Sequence, residues 1–122
     1  MAMAGGPRCG LPAIGAVEGM NSTLRRSTSQ TDFTNFTSLL QGVHNGVHVW
    51  VGGSMGSVPT APADPIFWMH HANIDRLWRQ WQQSPQGTGK NPILSGAAAV
   101  MDPWPNTEAD TRDIVALGYT YV

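Results

Sequence analysis

The residues best equipped for chemistry are the chain's four histidines, and all of them fall within one short stretch. His44 and His48 are four apart; His70 and His71 are adjacent in an apolar run further on. On a helix, positions four apart lie on one face about one turn apart, close enough for two imidazoles to bind one metal ion. A third ligand would then come from His70 or His71. In a strand His44 and His48 would still share a face but stand about 13 Å apart, too far for one ion. Three imidazoles without a cysteine or carboxylate suit copper or zinc, and divalent copper binds such donors more tightly.

The elements that must position these rings can be traced from local signals. A helix is expected over about residues 32–41, with Thr31 or Asp32 at its start and Phe33, Phe36, Leu39 and Leu40 as its apolar stripe. Gly42 should break or bend it. A second helix is expected from His44 to about Val51, stopped by Gly52-Gly53. The alternation of Val47, Val49 and Val51 keeps a strand in competition there. Pro59 and Pro62 make residues 53–63 a loop. Asp64 as N-cap and Pro65 at the first helical position begin a third helix, which reaches Gln82 or Gln83. Its stripe is Phe67, His71, Ile74, Trp78 and Trp81, with His70 about 100° round the helix from His71. The stripe argument points His71 toward the interior. Asp75 lies one turn after His71 and is placed to accept its second ring N–H or to pair with Arg79. Beyond Lys90 the prolines argue for irregular chain, with a short helical turn or edge strand over 114–121.

The rest of the composition excludes several classes. The chain has 122 residues, a net charge of −1 and only 12% charged residues, so nothing suggests nucleic acid or an anionic membrane surface as partner. Apolar content of 41% with five tryptophans is that of a chain that folds. Its length suits one domain. The single cysteine, Cys9, rules out an internal disulfide framework. Residues 1–23, rich in Gly, Ala and Pro, are expected to form a loosely ordered arm before a domain over 24–122. They lack the basic start and apolar core of a signal peptide. No run approaches the ~20 apolar residues of a membrane span, so a cytoplasmic location is the default.

The ordered string His44-Asn45-x-x-His48-x-Trp50-x-Gly52-Gly53-x-Met55, then Asp64-Pro65-Ile66-Phe67-Trp68-x-His70-His71-Ala72-Asn73-Ile74-Asp75-Arg76-Leu77-Trp78, resembles the second copper-binding half of the tyrosinase and catechol oxidase family, the type-3 copper proteins. The likeness extends back through Thr31-Asp32-Phe33 and on to Leu117-Gly118-Tyr119-Thr120-Tyr121. It implies a mainly α domain in which an antiparallel helix pair carries a three-histidine copper site, half of a four-helix bundle. It also implies copper on His44, His48 and His71, leaving His70 beside the site. Asn45 matches an asparagine that helps deprotonate a bound phenol in some members. Val49 and Val58 match positions that guide and gate the substrate. The family oxidises phenols and catechols to quinones with O2 on two coppers, each held by three histidines, and no histidine precedes His44 here. The resemblance therefore implies a site completed by a homodimer or by a chain carrying the other three ligands. The alternative is a mononuclear copper-binding or carrier module without oxidase activity.

Overall fold

The computed structural model describes residues 14–122, with side chains from residue 18 onward. Three helices, α1 (Ile14–Thr28), α2 (Phe33–Val51) and α3 (Pro65–Gln83), are followed by a long irregular segment. The architecture is mainly α: among the described residues the sole β feature is one antiparallel bridge, Val100 to Thr107.

The first helix is a departure from the arm expected over residues 1–23. Residues 1–13, with Cys9, lie outside the described part, but residues 14–23 are helical and the boundary drawn at residue 24 falls inside α1. Gly15, Gly19, Asn21 and the Ser/Thr pairs give this stretch poor intrinsic helicity. Packing supplies what propensity does not. Leu24 sits against the core cluster. Ser27, fully buried, donates its hydroxyl to the Phe36 carbonyl at 3.0 Å. Met20 lies over Gly46, where an added Cβ would meet its terminal methyl at 3.7 Å.

Helix α2 is continuous, not broken at Gly42. Asp32 caps it by accepting from the Asn35 backbone N–H at 2.8 Å, and Gly52, with φ 67°, ends it. The strand alternative for 44–51 is thereby excluded. Gly52 and Gly53 both take positive φ, a conformation that costs glycine little, and the chain turns into a connection containing 3₁₀ turns at Gly53–Gly56 and Ala61–Ala63. Asp64 caps α3 by accepting from Ile66 N–H at 3.0 Å, with Pro65 just inside.

The two long helices run antiparallel. Phe33 and Phe36 at the start of α2 meet Trp78 and Trp81 near the end of α3. Phe36 and Trp81, both fully buried, stack with centroids 4.4 Å apart and planes 9° apart. They centre a core with Leu40 and Leu77, flanked by Leu24, Phe33, Ile74 and Trp78. Burying each large side chain contributes about 1.5–3 kcal/mol. The Trp81 indole donates to the Gln30 carbonyl at 2.8 Å, which pins the α1–α2 corner to α3. After α3 the chain folds back against it. The Trp78 indole donates to Asn91 at 2.9 Å, Ile114 is buried, and Tyr119 and Tyr121 both donate to the Asp75 carboxylate. Residues 114–118 form turns, so of the two forms expected for 114–121 the strand is not taken.

Candidate metal centre

Antiparallel packing brings the histidines of α2 and α3 together at the end of the hairpin away from the Trp81 core. The Nε2 atoms of His44, His48 and His71 form a triangle with sides of 3.1, 3.3 and 3.3 Å. The point equidistant from its corners lies about 1.9 Å from each nitrogen, near the ~2.0–2.1 Å of a metal–imidazole bond. Three ring nitrogens this close, all from neutral donors, suit a cation at their centre.

Each of the two α2 rings is oriented from behind. His44 donates through Nδ1 to the Asn45 side-chain oxygen at 3.0 Å, and the same oxygen accepts from Gln41 at 3.4 Å. His48 donates through Nδ1 to the Met55 carbonyl at 2.9 Å. A proton on Nδ1 leaves the Nε2 lone pair for the cluster. Met55 is buried, and its carbonyl reaches His48 because the Gly52-Gly53 turn doubles the chain back over the helix end. Thr60 donating to the Ser54 carbonyl and Ser54 donating to Asp64 tie this connection down.

His70 also belongs to the cluster. His44, His48 and His70 each have a ring nitrogen within 4.8 Å of the others, a looser grouping than the Nε2 triangle. His70 donates through Nε2 to the His44 backbone carbonyl at 3.1 Å, and its ring stacks on that of His44 at 5.1 Å and 11°. Helix periodicity pointed His71 rather than His70 inward. The structure has His70 buried and His71 half-buried, because the His44 carbonyl gives His70 a partner across the helix pair. Burial lowers the pKa values of His44, His70 and His71, and the neighbouring histidines lower them further. For His44 the Asn45 hydrogen bond opposes this, and for His70 the bond to the His44 carbonyl does. All three are therefore held toward the neutral form that a metal ligand needs.

Asp75 is not where either local expectation put it. It makes no hydrogen bond to His71 and no ion pair with Arg79 among the described residues; instead it accepts both C-terminal tyrosine hydroxyls. Asn45, Val49 and Val58 do come together. With His44, His48, Met55, Gly56 and Ala61 they line an open pocket of about 340 Å³ beside the cluster. A second pocket of about 310 Å³ lies on the side of His44 and His71 that faces the aromatic core, walled by Phe33, Phe36, Leu40, Ile74 and Trp78. Sequence reasoning missed two groups at the centre, the Met55 carbonyl and the Phe67 ring against His71. The first is backbone and leaves no composition signal. The second was legible as a four-residue spacing on one helix.

A family model described as the common central domain of tyrosinase matches residues 13–84, more than half of the chain. The chain belongs to the tyrosinase family. It is a copper-binding, tyrosinase-like domain of the type-3 class, and its histidine cluster fits a copper site. Over 103 residues it is 40% identical to a tyrosinase of Streptomyces glaucescens, covering 78% of this chain and 37% of that one. It is 52% identical over 52 residues to the tyrosinase HcTyr1 of a Hahella species, covering 43% of this chain and 11% of the relative. It is also 36% identical over 91 residues to an A-type hemocyanin of Enteroctopus dofleini, covering 71% of this chain and 7% of the relative. The chain thus spans well under half the length of the tyrosinases it matches. No solved structure matches it.

Proposed function

We propose that His44, His48 and His71 hold one copper ion, with His70 outside the ligand set. We further propose that the domain acts in the oxidation of phenols and catechols to quinones once a second three-histidine site is brought beside the first. The observation that carries this reading is the Nε2 triangle with sides of 3.1–3.3 Å. His70 spends its Nε2 proton on a backbone carbonyl that holds α2 against α3. Copper bound in such a pair of sites supplies the electron exchange between a phenolic substrate and O2. The chain's own residues supply the rest. The Asn45 side chain and the Met55 carbonyl orient the His44 and His48 rings, and Val49 and Val58 give the neighbouring pocket apolar walls against which a flat aromatic ring can lie.

The second site is assigned to another copy of this chain across a two-fold axis. Val49, Trp50, Val58, Trp68 and Met69 are all more than half exposed near the cluster, an apolar surface of the kind that marks an interface. An isologous dimer would cover it and present two trios to one another. Copper per chain, measured with solution mass and cupric spin resonance, tests both parts. The expected result is a dimer with one copper per chain, a silent cupric signal from magnetic coupling, and turnover of catechol. An isolated cupric signal from an inactive monomer would establish the carrier alternative, and activity appearing only with a different polypeptide would move the second trio to that partner. For the ligand set, His44→Ala, His48→Ala and His71→Ala should each lose copper and His70→Ala should retain most of it. The opposite pattern for His70 and His71 would overturn the assignment.

A further inference from the structure

We infer that Phe67 is a positioning residue for His71, doing by stacking what hydrogen bonds do for the other two rings. The inference rests on His71 being a ligand, as proposed above. An imidazole that binds a metal must hold one nitrogen inward, and its other nitrogen is ordinarily fixed by an acceptor. His44 has the Asn45 side chain and His48 the Met55 carbonyl. His71 differs. Both of its hydrogen-bond-length contacts run through Nε2 into the cluster, and no protein group among the described residues accepts from its Nδ1.

What lies against His71 is the ring of Phe67, one helical turn earlier, with centroids 4.0 Å apart and planes 25° apart. The edge of the His44 ring closes another side at 4.9 Å and 90°. The outer torsion of a histidine is broad and close to two-fold, so the backbone of α3 does not by itself choose a ring plane. The Phe67 face does. Phe67 is in turn braced by Trp68, edge-on at 5.1 Å, and the Trp68 indole donates to the Pro62 carbonyl at 3.1 Å. Stacking fixes the plane but leaves two orientations related by a half-turn. The inward lone pairs of His44 and His48 then select the one that presents Nε2.

Ring-nitrogen magnetic resonance of the metal-free chain, with copper affinity from competition against a coloured chelator, tests the inference. His44 and His48 should each show a single tautomer with the proton on Nδ1, and His71 the opposite tautomer, with its Nε2–H facing their lone pairs. Phe67→Leu keeps apolar bulk but removes the flat face. It should weaken copper binding about tenfold, the lower end of what loss of an orienting group costs a ligand, and shift the His71 ring signals most, those of His48, which Phe67 meets edge-on at 6.0 Å, less, and leave those of His44 in place. Phe67→Tyr should restore both. Unchanged affinity in Phe67→Leu, or movement of all three histidines together, would overturn the inference. His71→Ala separates the two proposals: if it keeps its copper the ligand assignment fails, and if it loses copper while Phe67→Leu does not, only the role of Phe67 fails.

Discussion

Asn45 shows how one side chain can carry two assignments that geometry distinguishes. The family resemblance gives it a part in deprotonating substrate, whereas its oxygen is occupied by the His44 Nδ1–H and the Gln41 amide. If it orients the ligand, Asn45→Ala should lower copper affinity about 10–100-fold, and Asn45→Asp, which keeps an acceptor, should preserve it. Competitive copper titration of both variants checks this; a purely substrate-directed asparagine would leave affinity unchanged and alter only turnover. Part of the site was legible at this scale. The four-residue spacing of His44 and His48 showed that they share one face of a helix, where their Nε2 atoms lie 3.1 Å apart. The choice between His70 and His71 was harder to see. The partner that buries His70 is a carbonyl on another helix, 26 residues away, and no local periodicity carries that information.

At the scale of elements, the helix starts were the easiest to read. Asp32 and Asp64 cap α2 and α3 as their sequence contexts suggest. The errors both came from overweighting local propensity. Gly42 was expected to break or bend the helix, yet α2 runs through it: one glycine costs only ~1 kcal/mol relative to alanine, and the core at Phe36 and Leu40 before it, with the Met20–Gly46 and His48–Met55 contacts after it, outweighs that. Helix α1 was invisible because its support comes from Phe36, Gly46 and the core and not from its own residues. These two failures make a paired prediction about glycines. Gly42 is exposed and a Cβ there would meet nothing within 4 Å, so Gly42→Ala should stabilise the fold by about 0.5–1 kcal/mol. At Gly87 a Cβ would fall 2.1 Å from the Trp81 carbonyl oxygen, so Gly87→Ala should destabilise it. Denaturant midpoints of the two variants should move in opposite directions.

For the molecule as a whole, the irregular C-terminal segment is held to α3 through Asp75, one turn beyond His71. Burial, then the Asp75 hydrogen bond and charge, push the Tyr121 phenol up from 10.0 to about 12. A raised folded pKa stabilises docking fully below the ordinary value and loses that contribution as pH climbs toward the raised one. The segment should therefore stay docked at neutral pH and come away between pH 10 and about 12. Phenolate absorbance against pH follows this directly, and Asp75→Asn should bring the later part of the tyrosine titration down toward the ordinary range. No helix among the described residues is long and apolar enough to cross a membrane.

The placement of the Phe36–Trp81 stack at one end of the helix pair and the histidines at the other has a mechanical consequence. The aromatic end is closed by fully buried rings, while His44, His48 and His71 at the other end are only half-buried. The pair is built like tongs, with a pivot that grips whether or not anything lies between the tips. An ion held there by the proposed ligands would join residues 23 and 27 positions apart in sequence, and so would act on the chain as a cross-link whose loop is already mostly closed. Most of the entropy of closing that loop is spent when the pivot forms, before any metal binds.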